Sequence, residues 1–345
     1  MRLANLVSAS FIIALILGAP AWANLVITPT YDSTIKNDAN AVAIESTIQS
    51  GINAFEADFK NPITVQIYFQ EGGGLGQSNF FVYDPSYLSF HTGLVANNAN
   101  PAAIAALNAN GGSGTNNPVT NDATIEMKSA NMRALGISQV PNCVPNPTGL
   151  GTSGGNVPNT CTNGTVGAYD GIISLNTPIT DPPGPNDGSH FGLLSVTEHE
   201  IDEVLGLGSA LENHSAASGV WNTTPFADGD PAPEDLFRWN AATGGSRTLG
   251  TNCATPTSAF FSYGPSTGEI NQFNNTCNGD DFGDWSNAGF TQSEAGTAGT
   301  NPTLGASEIS ALTAIGYTFV PEPSTIALMF LGCLAIFAAA RRKRA

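Results

Sequence analysis

The chain has 345 residues, with 11 Lys and Arg against 28 Asp and Glu, a formal net charge of −17, and only 11% charged residues. So acidic a balance repels nucleic acid and anionic lipid and argues against either as a partner. Hydrophobic residues make up 41% and recur throughout, which excludes a disordered chain, while 38 Gly and 22 Pro describe a neutral-polar, loop-rich surface.

The first predicted element is a targeting segment. Arg2, the apolar run Val7 to Leu17 and Ala21-Trp22-Ala23 read as a secretory signal peptide, cut after Ala23 by signal peptidase. The run is too short to span a bilayer. Residues 24–319 then form the mature domain, with an N-terminal lobe over about 24–208 and a C-terminal lobe over about 209–319. That span holds six basic residues against 27 acidic ones, which leaves carboxylates free for hard cations.

From Asn40 to Phe59 the residues Ile44, Ile48, Ile52, Phe55 and Phe59 recur at three- and four-residue steps, which predicts an amphipathic helix ended by Pro62. Ile63, Val65, Ile67 and Phe69 then alternate with polar residues, as in a half-buried strand. "GGGLG" reads as a turn and Phe80 to Tyr83 as a second strand. Helices follow near Ser86–Leu94, Pro101–Leu107 and Ala123–Leu135. Asn142 to Asn163, rich in Pro, Gly and Asn, is a loop. Gly171 to Asn176 is a buried strand that leads, through another loop, to a helix containing His199. After Ser209 come a short strand at Ala259–Tyr263 and a helix at Glu308–Ile315.

Outside Cys333, the cysteines form two sequence-local pairs, Cys143 with Cys161 and Cys253 with Cys277. After export an even number favours disulfides, and of three connectivities the two local bridges are expected, each worth about 2–4 kcal/mol.

"TEHEIDEVLGLGS", Thr197 to Ser209, carries the chemistry. Residues four apart on a helix lie on one face, so His199 and Glu203 can reach one cation. Glu200, about 100° further round, can lie beside a water on that ion and act as a base. Zinc accepts carboxylate as well as imidazole, and a Glu donor also admits manganese or iron. A catalytic site needs a third donor. His214, just past the Gly206/Gly208 turn, is the first candidate, with Glu212, Asp228, Asp230 and Asp235 behind it. This glycine turn resembles that of metzincin-type zinc enzymes, and the resemblance implies a third donor at the position held here by Ser209, a poor zinc ligand. His190 lies close enough to contact substrate, and His91 reads as structural. Asp228-Gly229-Asp230 and the turn from Gly279 through Asp280, Asp281 and Asp284 could hold structural Ca2+, although Asx-turn chemistry explains such turns more simply. Arg238 is expected in a buried pair with a carboxylate, and Phe261, Phe273 and Trp285 in the core.

The tail reads Val320-Pro321-Glu322-Pro323-Ser324-Thr325, then the apolar run Ile326 to Ala340, then Arg341-Arg342-Lys343-Arg344. This closely resembles the PEP-CTERM sorting signal of Gram-negative bacteria. The resemblance implies export to the cell envelope, a transient membrane anchor through residues 320–345, and recognition by an exosortase. The basic flank stays on the cytoplasmic side.

A wider resemblance rests on "IISLN", "EHEIDEVLGLGS", "DLFRW", "AFFSYGPSTG", "FNNTCNGDDFGDW" and "LTAIGY", in that order. Together they look like a family of predicted metalloproteases with PEP-CTERM tails and an H-E-I-x-E-V-L-G helix. That resemblance implies an α+β, zincin-like fold, in which a mixed sheet packs on helices beside an HExxE helix and a loop-rich C-terminal lobe. It implies a secreted or surface-associated zinc-dependent peptidase, with protein or peptide substrates, His199 and Glu203 as ligands, and Glu200 as the base. The rival expectation is a non-catalytic matrix, biofilm or adhesin protein with a degenerate metal site.

Overall fold

A computed structural model of the chain describes residues 24–139, 169–211, 230–240, 246–248, 258–264, 268, 270–275 and 281–320. The five cysteines, and with them both expected disulfides, lie outside these residues, as do Glu212, His214, Asp228, Gly279, Asp280 and the segments 1–23 and 321–345. In chain order the main elements are β1 (Val26–Tyr31), α1 (Ala41–Asp58), β2 (Thr64–Glu71), β3 (Gly76–Phe80), α2 (Tyr87–Asn97), α3 (Pro101–Ala109), α4 (Ser129–Ala134), β4 (Gly171–Leu175), α5 (Leu193–Leu205) and α6 (Ala306–Ala314). The fold is α+β with a mixed sheet.

The four long strands form one sheet in the order β1-β2-β4-β3. β1, β2 and β4 run parallel, and β3 closes the edge antiparallel to β4, with Ser78 opposite Ile173. Parallel strands need helical cover. α1 packs on β1 and on α5, while α5 lies across β4 and β3. The period-2 pattern of β2 puts Val65, Ile67 and Phe69 fully inside, and the helical stripe of α1 does the same for Ile48, Ile52 and Phe55. One apolar cluster runs from Leu25 to Tyr317 and takes residues from both expected lobes. The first residue of the tail is tied back to α1, where the Val320 amide donates to the Asp58 carbonyl at 2.7 Å.

Gly171 fixes the height of α5 above the sheet. A Cβ there would lie 2.4 Å from Cγ2 of Val204, a short branched side chain with little room to yield. Gly171→Ala is therefore expected to cost about 1–3 kcal/mol by overpacking. Urea unfolding of the purified protein checks this, and an unchanged midpoint would show that α5 rides freely on β4.

Three expectations change. The helix expected over Ala123–Leu135 begins only at Ser129. Ile125 and Met127 are both buried two residues apart, a strand period, and Met127–Lys128 pairs with Val82–Tyr83. The strand expected at Phe80–Tyr83 is preceded by β3, five residues that include the last glycine of "GGGLG". Its polar sequence, GQSNF, is held by pairing to β4 rather than by burial of one face. Arg238 is buried at 1% exposure, but its described hydrogen bonds go to the Phe282 and Asn274 carbonyls and to Asn275 Oδ1, and its guanidinium stacks on Phe273. Burial lowers its pKa to about 10, with Asp235 opposing from nearby. Phe261, Phe273 and Trp285 lie in the core as expected. Among the described residues no helix is long and apolar enough to cross a membrane, and the run Ile326 to Ala340 falls outside them.

Candidate metal centre

α5 is amphipathic. Leu193, Val196, Ile201, Val204 and Leu205 are buried, while His199 and Glu203 face a cleft with 17% and 15% of their side chains exposed. Their spacing brings His199 Nε2 to 3.6 Å from Glu203 Oε1. The helix then stops at glycines in the left-handed region, Gly206 at φ 138° and Gly208 at φ 111°. Past Gly208 a second segment presses backbone on backbone. A Cβ on Gly283 would lie 2.5 Å from Gly208 Cα, so only glycine fits. That contact carries the next residue, Asp284, to 3.8 Å from His199 Nε2. Trp285 anchors the segment, fully buried and donating from Nε1 to Glu308 at 3.1 Å.

His199, Glu203 and Asp284 thus each present a donor atom within 4.8 Å of the other two, the one such group among the described residues. The donors of a tetrahedral zinc site stand about 3.3–3.5 Å apart, given bonds of about 2.0–2.1 Å, so the three residues fit a small divalent cation after slight contraction. His199 Nδ1 lies 3.0 Å from the Thr291 carbonyl. A carbonyl only accepts, so Nδ1 carries the proton and Nε2 is the nitrogen turned to the carboxylates. Ser78 on β3 donates to Glu203 Oε2, and Gln292 Nε2 donates to Asp284 Oδ1 at 2.8 Å. Each donor side chain is therefore held by a neighbour that fixes its orientation.

Lys128 adds a cation under the helix end. Its Nζ donates to the Glu203 carbonyl at 2.8 Å and the Leu207 carbonyl at 2.5 Å, and lies 3.6 Å from the centre of the Phe80 ring. The Glu203 carbonyl lies in the last turn, at the negative end of the helix dipole, and also accepts from the Gly206 amide at 3.0 Å, while Leu207 lies just past the helix end. Neither Lys128 nor Ser78 stands out in the sequence as part of a site.

Glu200 points into the same cleft with 4% exposure, and its Oε2 has no hydrogen-bond partner. It packs against the backbone of β3. A Cβ on Gly76 would lie 2.2 Å from Glu200 Oε1, so the glycine makes the space. Burial pushes the Glu200 carboxyl well above the usual carboxylate range, and repulsion from Glu203 adds to it. Burial also raises Asp284 strongly. It opposes charge on His199, yet Asp284 and Glu203 outweigh it and hold the imidazole well above its ordinary pKa. Glu203 alone falls below its ordinary value, because His199 and Lys128 overcome its burial. These shifts describe a cluster of buried carboxylates short of positive charge, which protons supply to Glu200, Asp284 and His199 where no other cation does.

Residues 319–344 match the family described as the PEP-CTERM protein-sorting motif. The chain carries this sorting motif. It is accordingly an exported, envelope-associated protein with a C-terminal sorting tail, and the motif implies processing by an exosortase. No curated protein and no solved structure matches the chain.

The other candidate residues fall elsewhere. Asp235 clamps a loop, accepting from Ser209 Oγ at 2.6 Å and from the Ala210 and Ala232 amides at 3.0 Å. Asp230 accepts from Thr124 Oγ1 at 2.8 Å. Asp281 lines the cleft and closes an Asx turn, its Oδ1 accepting from the Gly283 amide at 2.6 Å and the Ser209 amide at 3.1 Å. His190 pairs with Asp181 at 3.0 Å on a partly exposed loop, and only its neighbours Phe191 and Gly192 reach the cleft. His91 bonds Asn108 between α2 and α3 at 2.8 Å. His214 lies outside the described residues.

Proposed function

We propose that the chain is a metal-dependent peptidase, in which His199, Glu203 and Asp284 hold a divalent cation and Glu200 is the general base. The observation that carries this reading is the convergence of three donor side chains in the wall of a cleft of about 380 Å3 that also contains Glu200. A cation held there would supply Lewis acidity toward a carbonyl oxygen and toward water. One imidazole and two carboxylates suit zinc and also admit manganese or iron.

The chain's own groups do the rest. Glu200, almost free of competing hydrogen bonds, accepts a proton from a water in the cleft and returns it to the leaving amine. To act so it must be ionised, and a cation held by the three donors would favour that form by drawing on the negative charge of Glu203 and Asp284. Ser78 and the Thr291 carbonyl keep Glu203 and His199 from rotating away. The finer fold reading, zincin-like, is supported by the H-E-x-x-E helix lying across a mixed sheet.

Metal content tests the proposal. The exported protein, purified without chelator, is expected to hold about one zinc, manganese or iron per chain, measured by mass spectrometry. Glu203→Ala should lose it. An ion-free wild type that also fails to bind added zinc favours the matrix or adhesin reading.

A further inference from the structure

We propose that, while its tail is uncut, the domain stands on the outer face of the membrane on one pole, centred on Phe59, and holds the exposed rim of its cleft outward. The inference goes beyond the peptidase reading and needs no catalysis. It rests on the expectation that the apolar run Ile326 to Ala340 enters the bilayer.

Past the end of α1 the backbone is extended at Phe59, and both ends of the domain pair with it there. On one side the Leu25 amide donates to the Phe59 carbonyl at 3.4 Å. On the other, Phe319 bridges Phe59 antiparallel, and the Lys60 amide donates to the Thr318 carbonyl at 3.0 Å. The Thr318 amide donates to Asn61 Oδ1 at 2.7 Å, and Asn61 Nδ2 donates to the Gly316 carbonyl at 3.2 Å. Tyr317 is fully buried, lies edge-on to Phe59 with ring centres 5.8 Å apart, and donates from its hydroxyl to the Leu205 carbonyl at 2.7 Å. With the bond from Val320 to Asp58, the chain is fixed up to Val320 and has no slack before Pro321. The expected cut after Ala23 leaves Asn24 and Leu25 at the start of the domain. Both targeting segments therefore leave the fold at adjacent carbonyls, Asp58 and Phe59.

That attachment decides the orientation. Ile326 comes six residues after Val320, a reach of at most about 20 Å. Crossing the headgroup layer uses about 5–7 Å of it. A domain of this length has a radius of gyration of about 19 Å, so the far end cannot roll down to the lipid. The acidic balance of the chain gives no charge attraction to anionic lipid that would turn it otherwise.

The sheet shows which end is far. β2 starts at Thr64, three residues after Asn61, and its eight residues carry the chain about 25 Å away. Gly74, Leu75 and Gly76, in the turn that follows, line the cleft. The cleft rim closes over that turn, since a Cβ on Gly296 would lie 2.6 Å from Leu75 Cδ2, and Ala295, Gly296 and Thr297 are exposed. α5 gives the same direction, with Ser195 and Val196 in the cleft and its last residue, Leu205, on Tyr317. The cleft is thus open before the exosortase acts, and it takes ligands free in the space outside rather than segments lying on the bilayer.

Energy transfer measures the orientation. The full-length, unprocessed protein is reconstituted in phosphatidylcholine vesicles with acceptor-labelled headgroups, and a fluorescent amino acid replaces Pro62 beside the pole or Ala295 on the cleft rim, both exposed. Transfer from position 62 is expected to exceed that from position 295 at least twofold, given the rise of about 25 Å along β2. Ala57 and Thr297, also exposed, repeat the comparison should a label at the first pair disturb the fold. A flexible Gly/Ser insert of about twenty residues after Val320 should erase the difference, because its reach of about 25 Å lets the domain turn over. Protein already processed in its host should leave the vesicles, since the tail alone holds it there. Equal transfer from the two positions, stronger transfer from the rim, none from either, an insert without effect, or processed protein that stays bound overturns the proposal.

Discussion

Glu200→Gln is expected to abolish peptide hydrolysis while leaving both the fold and the metal content in place. A positioned general base contributes about 10²–10⁴-fold to rate, and the amide cannot take the proton. The substitution is conservative for structure, for a specific reason. Burial and Glu203 already hold the Glu200 carboxyl toward its neutral form, and glutamine is the neutral isostere. Its Oε2 makes no hydrogen bond that would be lost, and its Oε1 faces the Gly76 backbone, where an amide oxygen fits equally. Casein cleavage by wild type and variant, each loaded with zinc and matched by thermal melting, gives the measurement. Equal rates would remove Glu200 from the chemistry. A variant that melts early or loses its metal would show instead that the carboxylate is structural.

How far the sequence reveals this arrangement depends on which contacts are local. α1 is legible because Ile44, Ile48 and Ile52 repeat at the helical period, and β2 because Val65, Ile67 and Phe69 alternate. His199, Glu200 and Glu203 are legible together because four-residue spacing on one helix brings side chains together without help from elsewhere. β1 carries Pro29 within an edge strand and shows no clean alternation, so only its pairing with β2 identifies it. β3 is polar up to its last residue, Phe80, and is defined by the strand beside it. Asp284 is the instructive case. In the sequence it is one carboxylate in a glycine-rich acidic turn, where local backbone bonding is the simpler explanation. Asp281 in the same turn does bond that way. What separates the two is the Gly208–Gly283 backbone contact, made across 75 positions of chain by residues with no side chains to announce it. The hint available in the sequence is Trp285. A large aromatic directly after an acidic turn marks the point where the chain enters the core, so the residue beside it is held at the core boundary rather than in solvent.

Asp284→Asn therefore carries the sharpest test of the centre. It is expected to weaken zinc binding by at least about a hundredfold, since changes even to the outer partners of metal ligands cost 10–100-fold and this one removes a donor. The metal-free fold should not suffer. The Asp284 carboxyl is buried and pushed well up, with His199 attracting it from 3.8 Å and Asp281 repelling it, so the neutral amide gives up one attraction while it relieves crowding among like charges. Its oxygen can still accept from Gln292 Nε2. Competition with a chromophoric chelator measures the affinity, and urea unfolding in EDTA measures the fold. The companion variant His214→Ala decides between the two candidate third donors. If Asp284→Asn loses the zinc and His214→Ala keeps it, the donor set is His199, Glu203 and Asp284. The reverse pattern would mean that the chain beyond Leu211 supplies the third donor, and that Asp284 contributes charge to the cleft rather than a bond to the cation.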